Sequence, residues 1–178
     1  RVFMNMKKIF LCVLIFCVVL SFGFAEDNGK DEYFPTAIGF NSHASMGGAQ
    51  SMGLTYQHWF KNDLGYQFSF GAIMDYDFVY ALDVQLQKLL FVHKQQGKGL
   101  TSLFAWGGVG VSSTDVYVDT GDSYGYEVKP AILASAGLGI EFIYFNHLSI
   151  PLKFGVTGQF LNNPSVAVSF GCGILYRF

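Results

Sequence analysis

After residue 31 the chain alternates between apolar positions and small or polar ones. In the last segment the apolar residues Val166, Phe170 and Ile174 have even numbers, whereas Ser165 and Ser169 have odd numbers. We call the even or odd set of positions in a segment its parity. Side chains of a β-strand alternate between its two faces, so the pattern predicts a strand with one apolar face. The same pattern recurs in six earlier segments, which are 34–41, 52–60, 64–76, 78–92, 132–144 and 148–160.

An eighth segment, 100–113, does not follow the rule. Phe104 and Trp106 share one parity, whereas Val109 and Val111 share the other. Its β-branched and aromatic residues still indicate a strand, but its facing stays open. Turn-forming sequences separate the eight segments at 46–48, 61–63, 96–99, 146–147 and 162–164. The sequence therefore predicts an all-β chain of eight antiparallel strands.

Two architectures use eight alternating strands: a soluble sandwich and a closed membrane barrel. The water-facing side of a sandwich should carry many charges. Here the polar face is mostly Gly, Ser, Ala, Thr and Gln, only 13% of all residues are charged, and mean hydropathy is +0.33. Small residues suit a narrow barrel interior, and the apolar face then meets lipid, where Lys88 is the only charge on the regular strands. We therefore predict an up-and-down transmembrane β-barrel.

The N-terminal segment has the pattern of an export signal. An apolar run from Ile9 to Phe24 follows Lys7 and Lys8 and ends in small residues, which predicts cleavage after Ala25. An uncleaved anchor and a lipoprotein are the alternatives, although the run is shorter than the ~20 residues that span a bilayer. The predicted division is a signal peptide at 1–25, a linker at 26–32 and an outer-membrane β-barrel domain at 33–178.

Three stretches carry a resemblance to known barrels: 137–142 (GLGIEF), 147–152 (HLSIPL) and 171–178 (GCGILYRF). From Tyr33 onward the chain resembles the small outer-membrane barrel families grouped around OmpX, OmpW and the opacity proteins. The resemblance implies a Gram-negative-type outer membrane and termini that face the periplasm. It also implies that the alternate residues Ile174, Tyr176 and Phe178 act as an assembly signal. Partners would then be outer-membrane lipid, the barrel assembly machinery and periplasmic chaperones.

The polar parity brings four charged residues into the predicted lumen: Asp83, Glu141, Lys153 and Arg177. Glu141 and Lys153 are equidistant from His147, so a hairpin centred there would place them opposite each other as an ion pair. Unpaired charge in a narrow lumen is costly, which favours pairing. The alternative is that the four residues form a gate or a selectivity filter.

Charge is unevenly distributed in the predicted topology. An outer loop at 113–129 carries Asp115, Asp119, Asp122 and Glu127, and it is either simply solvated or attracts cations. The formal net charge is −2, and loss of Arg1, Lys7 and Lys8 with the signal peptide would make it −5. This balance argues against a nucleic-acid partner.

Catalytic candidates are weak. His147-Leu148-Ser149 resembles the His-x-Ser of outer-membrane lipid A deacylases, but no acid follows in the next strand to orient the histidine. His43, His58 and His93 are dispersed, and Cys172 falls on the lipid-facing parity. We therefore predict no catalytic, cofactor-binding or metal site.

Three hypotheses remain for function. The first is a non-enzymatic barrel, structural or surface-interacting, with a largely plugged lumen. The second is a narrow porin-like channel for a small solute. The third and weakest is a lipid A-modifying enzyme.

Overall fold

The computed structural model describes residues 35–45, 50–74, 78–95, 99–119, 124–162 and 164–178. The predicted signal peptide and linker lie outside the described residues. Each strand pairs with the next in antiparallel fashion, and β1 pairs with β8, so the sheet closes into a barrel. The strands are β1 (Thr36–Ser45), β2 (Gln50–Trp59), β3 (Leu64–Met74), β4 (Phe78–Gln95), β5 (Gly99–Asp119), β6 (Tyr124–Tyr144), β7 (Leu148–Gln159) and β8 (Ser165–Arg177).

The apolar parity faces outward and the polar parity faces the lumen, as the alternation predicts. Phe40 and Ile174 are each 62% exposed, and Leu86 is 70% exposed. Gln57 and Gln67, on the opposite parity, are fully buried. A single closed sheet has its core inside the barrel, so the sandwich alternative is wrong. No helix among the residues that the structure describes is long and apolar enough to cross a membrane.

Strand β5 has inverted parity, which answers the question that the sequence left open. Phe104 pairs with Gly139 and Trp106 pairs with Gln87. The odd-numbered residues of the neighbouring strands β4 and β6 face inward at these pairs, so in β5 the even-numbered residues face inward. Phe104 and Trp106 therefore point into the lumen, and Val109 is 65% exposed on the outer face.

The barrel has two distinct ends. The terminal end carries Thr36, Phe178, the connections 60–63 and 145–147, the end of β4 and the start of β5; the distal end carries the opposite ends of the strands. At the distal end the predicted loop 113–129 is wrong in extent, because β5 and β6 stay paired from Ser113↔Pro130 to Asp119↔Tyr124. Their pairing with β4 and β7 stops at Ser112 and Leu133, so this hairpin continues beyond the wall as a two-stranded ribbon.

The β6–β7 turn also differs from the prediction. Phe145 and Asn146 have positive φ angles of 54° and 62°, and the His147 N–H donates to the Tyr144 carbonyl at 3.1 Å. The first two residues of this three-residue connection have the left-handed backbone that suits a twisted hairpin. Its centre lies one residue earlier than expected, so Glu141 is opposite Pro151 and Lys153 is opposite Gly139. The predicted Glu141–Lys153 alignment is therefore wrong.

A filled lumen as the candidate functional site

Aromatic side chains occupy the lumen toward the terminal end. Trp59, Phe104 and Trp106 form a buried cluster, and Leu89 packs against it. The rings of Trp59 and Phe104 meet edge to face, with centroids 6.0 Å apart. The indole N–H of Trp106 donates to the Leu138 carbonyl at 3.2 Å, which fixes its orientation. We call Trp59, Phe104 and Trp106 the aromatic plug.

Glycines on neighbouring strands make room for this plug. A β-carbon at Gly139 would collide with the Phe104 ring, and one at Gly65 would lie 2.6 Å from the Trp59 ring. Similarly, a β-carbon at Gly155 would lie 2.9 Å from Trp106. At these three glycines, bulky rings from other strands therefore occupy space that a β-carbon would need.

A buried ion pair lies beside the plug at the terminal end. The Arg177 guanidinium contacts a carboxylate oxygen of Glu141, and both side chains are fully buried. The Ser149 hydroxyl donates to the same oxygen, Oε1. Arg177 also donates to Gln57 Oε1 at 2.7 Å. Glu141 Oε1 thus has two donors and Arg177 Nη2 has two acceptors inside the barrel, which offsets part of the cost of burying the ion pair.

A chain of amides extends this pair across the interior. Gln57 donates to Gln87 at 2.9 Å, and Gln87 donates to Gln67 at 3.1 Å. Gln67 Oε1 also accepts a 2.7 Å bond from the Lys153 ammonium group. Lys153 donates in addition to Gln85, whose amide donates to Asp83 at 2.9 Å. One continuous hydrogen-bonded network therefore runs from Glu141 to Asp83.

Lys153 joins the polar network to the aromatic plug. Its ammonium nitrogen lies 5.6 Å from the ring centroid of Trp106, within the range of a cation–π interaction. The edge of His43 also meets Trp106, with centroids 5.9 Å apart, and His43 Nε2 lies 3.2 Å from Thr157 Oγ1. These contacts bring His43, Trp106 and Lys153 together inside the barrel.

Toward the distal end a small polar cavity of about 40 Å³ remains. Its lining includes His43, Asp83, Ser112 and Thr157. Water needs roughly 10–15 Å³ of such space, so a few molecules fit. Nearby, the Oδ1 atom of Asn41 is buried without a partner among the described residues.

The structure places the four predicted charged residues inside the barrel, with Glu141, Lys153 and Arg177 buried and Asp83 half-buried. It brings Glu141 to Arg177 and links Lys153 to Asp83 through Gln85. Sequence reasoning overlooked the glutamines that connect them, which are Gln57, Gln67, Gln85 and Gln87. Their shared inward parity with the charged residues was the available indication.

The weak catalytic and metal candidates do not come together. Ser149 is fully buried and donates to Glu141, whereas the His147 Nδ1–H donates to the Arg177 carbonyl at 2.8 Å. Within the described ranges, no group of three histidine, cysteine or acidic side chains could hold a metal ion. Cys172 is a free, exposed cysteine on the outer face.

No family model and no curated protein matches this chain. Among solved structures, the N-terminal β-barrel domain of Pseudomonas aeruginosa OprF matches with a TM-score of 0.53 at 14% identity, covering 83% of this chain and 100% of that one. Neisserial surface protein A gives a TM-score of 0.43 at 13% identity, covering 80% of this chain and 94% of its own. Yersinia pestis Ail gives 0.42 at 16%, covering 81% and 97%. At these identities the likeness concerns the fold alone: the chain has the architecture of the small eight-stranded outer-membrane barrels.

Proposed function

We propose that this protein is an integral barrel of a bacterial outer membrane whose lumen is closed, and that it acts without catalysis as a structural or surface-interacting protein. The observation that carries the proposal is that the aromatic plug and the hydrogen-bonded network from Glu141 to Asp83 lie together inside the barrel. An eight-stranded barrel is just wide enough for side chains to fill in this way.

The outer surface supports membrane insertion. Large apolar side chains are exposed all round the barrel, among them Phe40, Leu86, Val109, Phe154 and Ile174. An apolar surface of this extent would be unfavourable in water but matches the hydrocarbon core of a bilayer. Export through the signal peptide, and recognition of Ile174, Tyr176 and Phe178 by the assembly machinery, belong to the same proposal.

The protruding β5–β6 hairpin supports a role at the surface. Beyond Ser112 and Leu133 its two strands pair only with each other, so both outer edges of the ribbon lack a neighbour in the register of the described strands. Such edges can pair with an extended segment of another protein. In the proposed topology this distal end faces the cell exterior.

A narrow channel is the second candidate, and the distal cavity favours it. The cavity already occupies part of the lumen. The Lys153 ammonium group is held by the amide oxygens of Gln67 and Gln85, and these glutamines could form other hydrogen bonds if Lys153 moved. Opening would require the network and the plug to move together.

Solute permeation into proteoliposomes separates the two candidates. We expect liposomes that carry the folded protein to swell in small neutral solutes no faster than empty ones, and Lys153→Ala to behave likewise. Swelling that depends on solute size would support the channel instead, and an increase in Lys153→Ala alone would identify Lys153 as a gate.

The lipid A-modifying alternative would need an accessible nucleophile. Ser149 is fully buried and engaged with Glu141, so nothing in the site supports that chemistry. Release of fatty acid from lipid A by the pure protein would revive it.

A further inference from the structure

At the terminal end of the barrel, aromatic rings and lysines lie close together on the outer face of β2, β3 and β4; we call this region the corner. Four rings on β2, on β3 and directly after β2 form a series of contacts: His58 and Phe60 at 5.1 Å, Phe60 and Tyr66 at 5.7 Å, and Tyr56 and Tyr66 at 6.0 Å between centroids. His58 is further held by a 3.0 Å hydrogen bond between its Nδ1 and Thr36 Oγ1. The rings therefore form one ordered surface.

Two lysines lie at the rim of this surface. Lys61 is exposed in the turn that follows β2, and Lys88 stands opposite Leu64 on the neighbouring strand. The Lys88 ammonium donates to the Asn62 carbonyl at 3.2 Å, which draws it over the turn that contains Lys61. Asp63, in the same turn, is the acidic residue among the described residues 60–66. We call Tyr56, His58, Phe60, Tyr66, Lys61 and Lys88 the corner patch.

We propose that the corner patch binds an anionic phospholipid, with the acyl chains against the rings and the headgroup phosphate at Lys61 and Lys88. The inference rests on the proposed membrane insertion of the barrel. Aromatic side chains with polar tips favour the membrane interface, where one end is apolar and the other is wet. The aromatic surface runs directly up to the lysines, so one molecule with an apolar tail and an anionic head matches both parts.

Charge complementarity distinguishes an anionic headgroup from a zwitterionic one. An ammonium group has three donors, and the described residues accept one from Lys88, which leaves capacity for a phosphate oxygen. A lysine near an anionic membrane surface contributes about fivefold to binding. Two lysines against one acid therefore predict a clear preference for anionic lipid.

The test uses the full chain in nanodiscs of mixed zwitterionic and phosphatidylglycerol lipids, with native mass spectrometry of the lipids that stay bound after release. We expect the wild type to retain phosphatidylglycerol at several times its share of the mixture. The double variant Lys61→Gln/Lys88→Gln should lose roughly fivefold or more of that preference. Lys129→Gln, at the distal end, removes the same kind of charge and should leave it unchanged.

Each contrary result has a distinct meaning. Equal retention of both lipids by the wild type would overturn the proposal even if the double variant failed to fold. An unchanged preference in a folded double variant would overturn it too. Displacement of the bound lipid by soluble glycerol phosphate would also overturn it, because the patch would then bind the phosphate group without the acyl chains. Failure of the wild type to insert at all would count against the membrane barrel itself.

Discussion

Gly139 lies directly opposite Phe104 on the β5–β6 ladder, and the Phe104 ring occupies the space that a β-carbon of residue 139 would fill. At this position a small inward residue does not leave an open space, because the ring from the adjacent strand lies there. The space inside the barrel beside Gly139 therefore depends on the strand pair and not on the glycine alone.

Substitution of Gly139 by alanine should destabilise the barrel by about 1–3 kcal/mol, because the added methyl overpacks the plug. Gly107→Ala is the matched control, since its β-carbon would have its nearest neighbour at 3.7 Å. Urea unfolding in lipid vesicles measures both. Phe104→Ala should cost less in the Gly139→Ala background than in the wild type. Equal effects of the two glycine substitutions would contradict the tight pairing.

Loss of one partner of the buried ion pair should be more harmful than loss of both. Arg177→Met leaves the Glu141 carboxylate without its cation and should cost about 3–5 kcal/mol. The double variant Arg177→Met/Glu141→Leu removes both charges and should recover much of that loss. The same unfolding assay compares them, and a double variant less stable than Arg177→Met would refute the explanation.

Lysine on the outer face should be tolerated only outside the hydrocarbon region. Val109 is 65% exposed on a strand, and Val109→Lys should destabilise the inserted barrel by about 2–4 kcal/mol if it lies near mid-bilayer. Leu161→Lys is the control, because Leu161 is 43% exposed in the turn after β7. It replaces an apolar side chain by the same charged one and should change the stability little. Similar stabilities of the two variants in vesicles would argue against lipid contact at Val109.

Substitution in the β6–β7 turn should increase the stability of the barrel. Phe145 adopts a φ of 54°, which costs a residue with a bulky side chain roughly 1–2 kcal/mol. Asparagine tolerates this conformation, so Phe145→Asn should raise the free energy of unfolding by up to about 1 kcal/mol. Asn146→Val, with a φ of 62° at the wild-type residue, should have the opposite effect.

The strand pattern could be predicted because lipid and a packed lumen impose opposite chemistry on alternate residues. The same rule identified Asp83, Glu141, Lys153 and Arg177 as inward positions. Pairing among them could not be predicted, because it depends on the register. The hairpin is centred on Asn146 instead of His147, which moves the partner of Lys153 from Glu141 to Gly139.

Strand β5 shows a second limit of the sequence. Within one strand, residues of the same parity face the same side. The length of each connection determines whether even-numbered or odd-numbered residues of the next strand face inward. Phe104 and Trp106 on one parity, with Val109 and Val111 on the other, fit either facing of an isolated strand. The pairing of Phe104 with Gly139 suits the inward facing, because the ring occupies the space that a β-carbon at position 139 would need.

Single-channel recording tests the closed lumen most directly. The folded protein would be inserted into a planar bilayer, with insertion verified in parallel vesicles by the heat-dependent mobility shift of a folded barrel. We predict a silent membrane, because in the proposed function the aromatic plug and the network from Glu141 to Asp83 close the lumen. Reproducible discrete conductance steps from the wild-type protein would contradict this account and establish a channel.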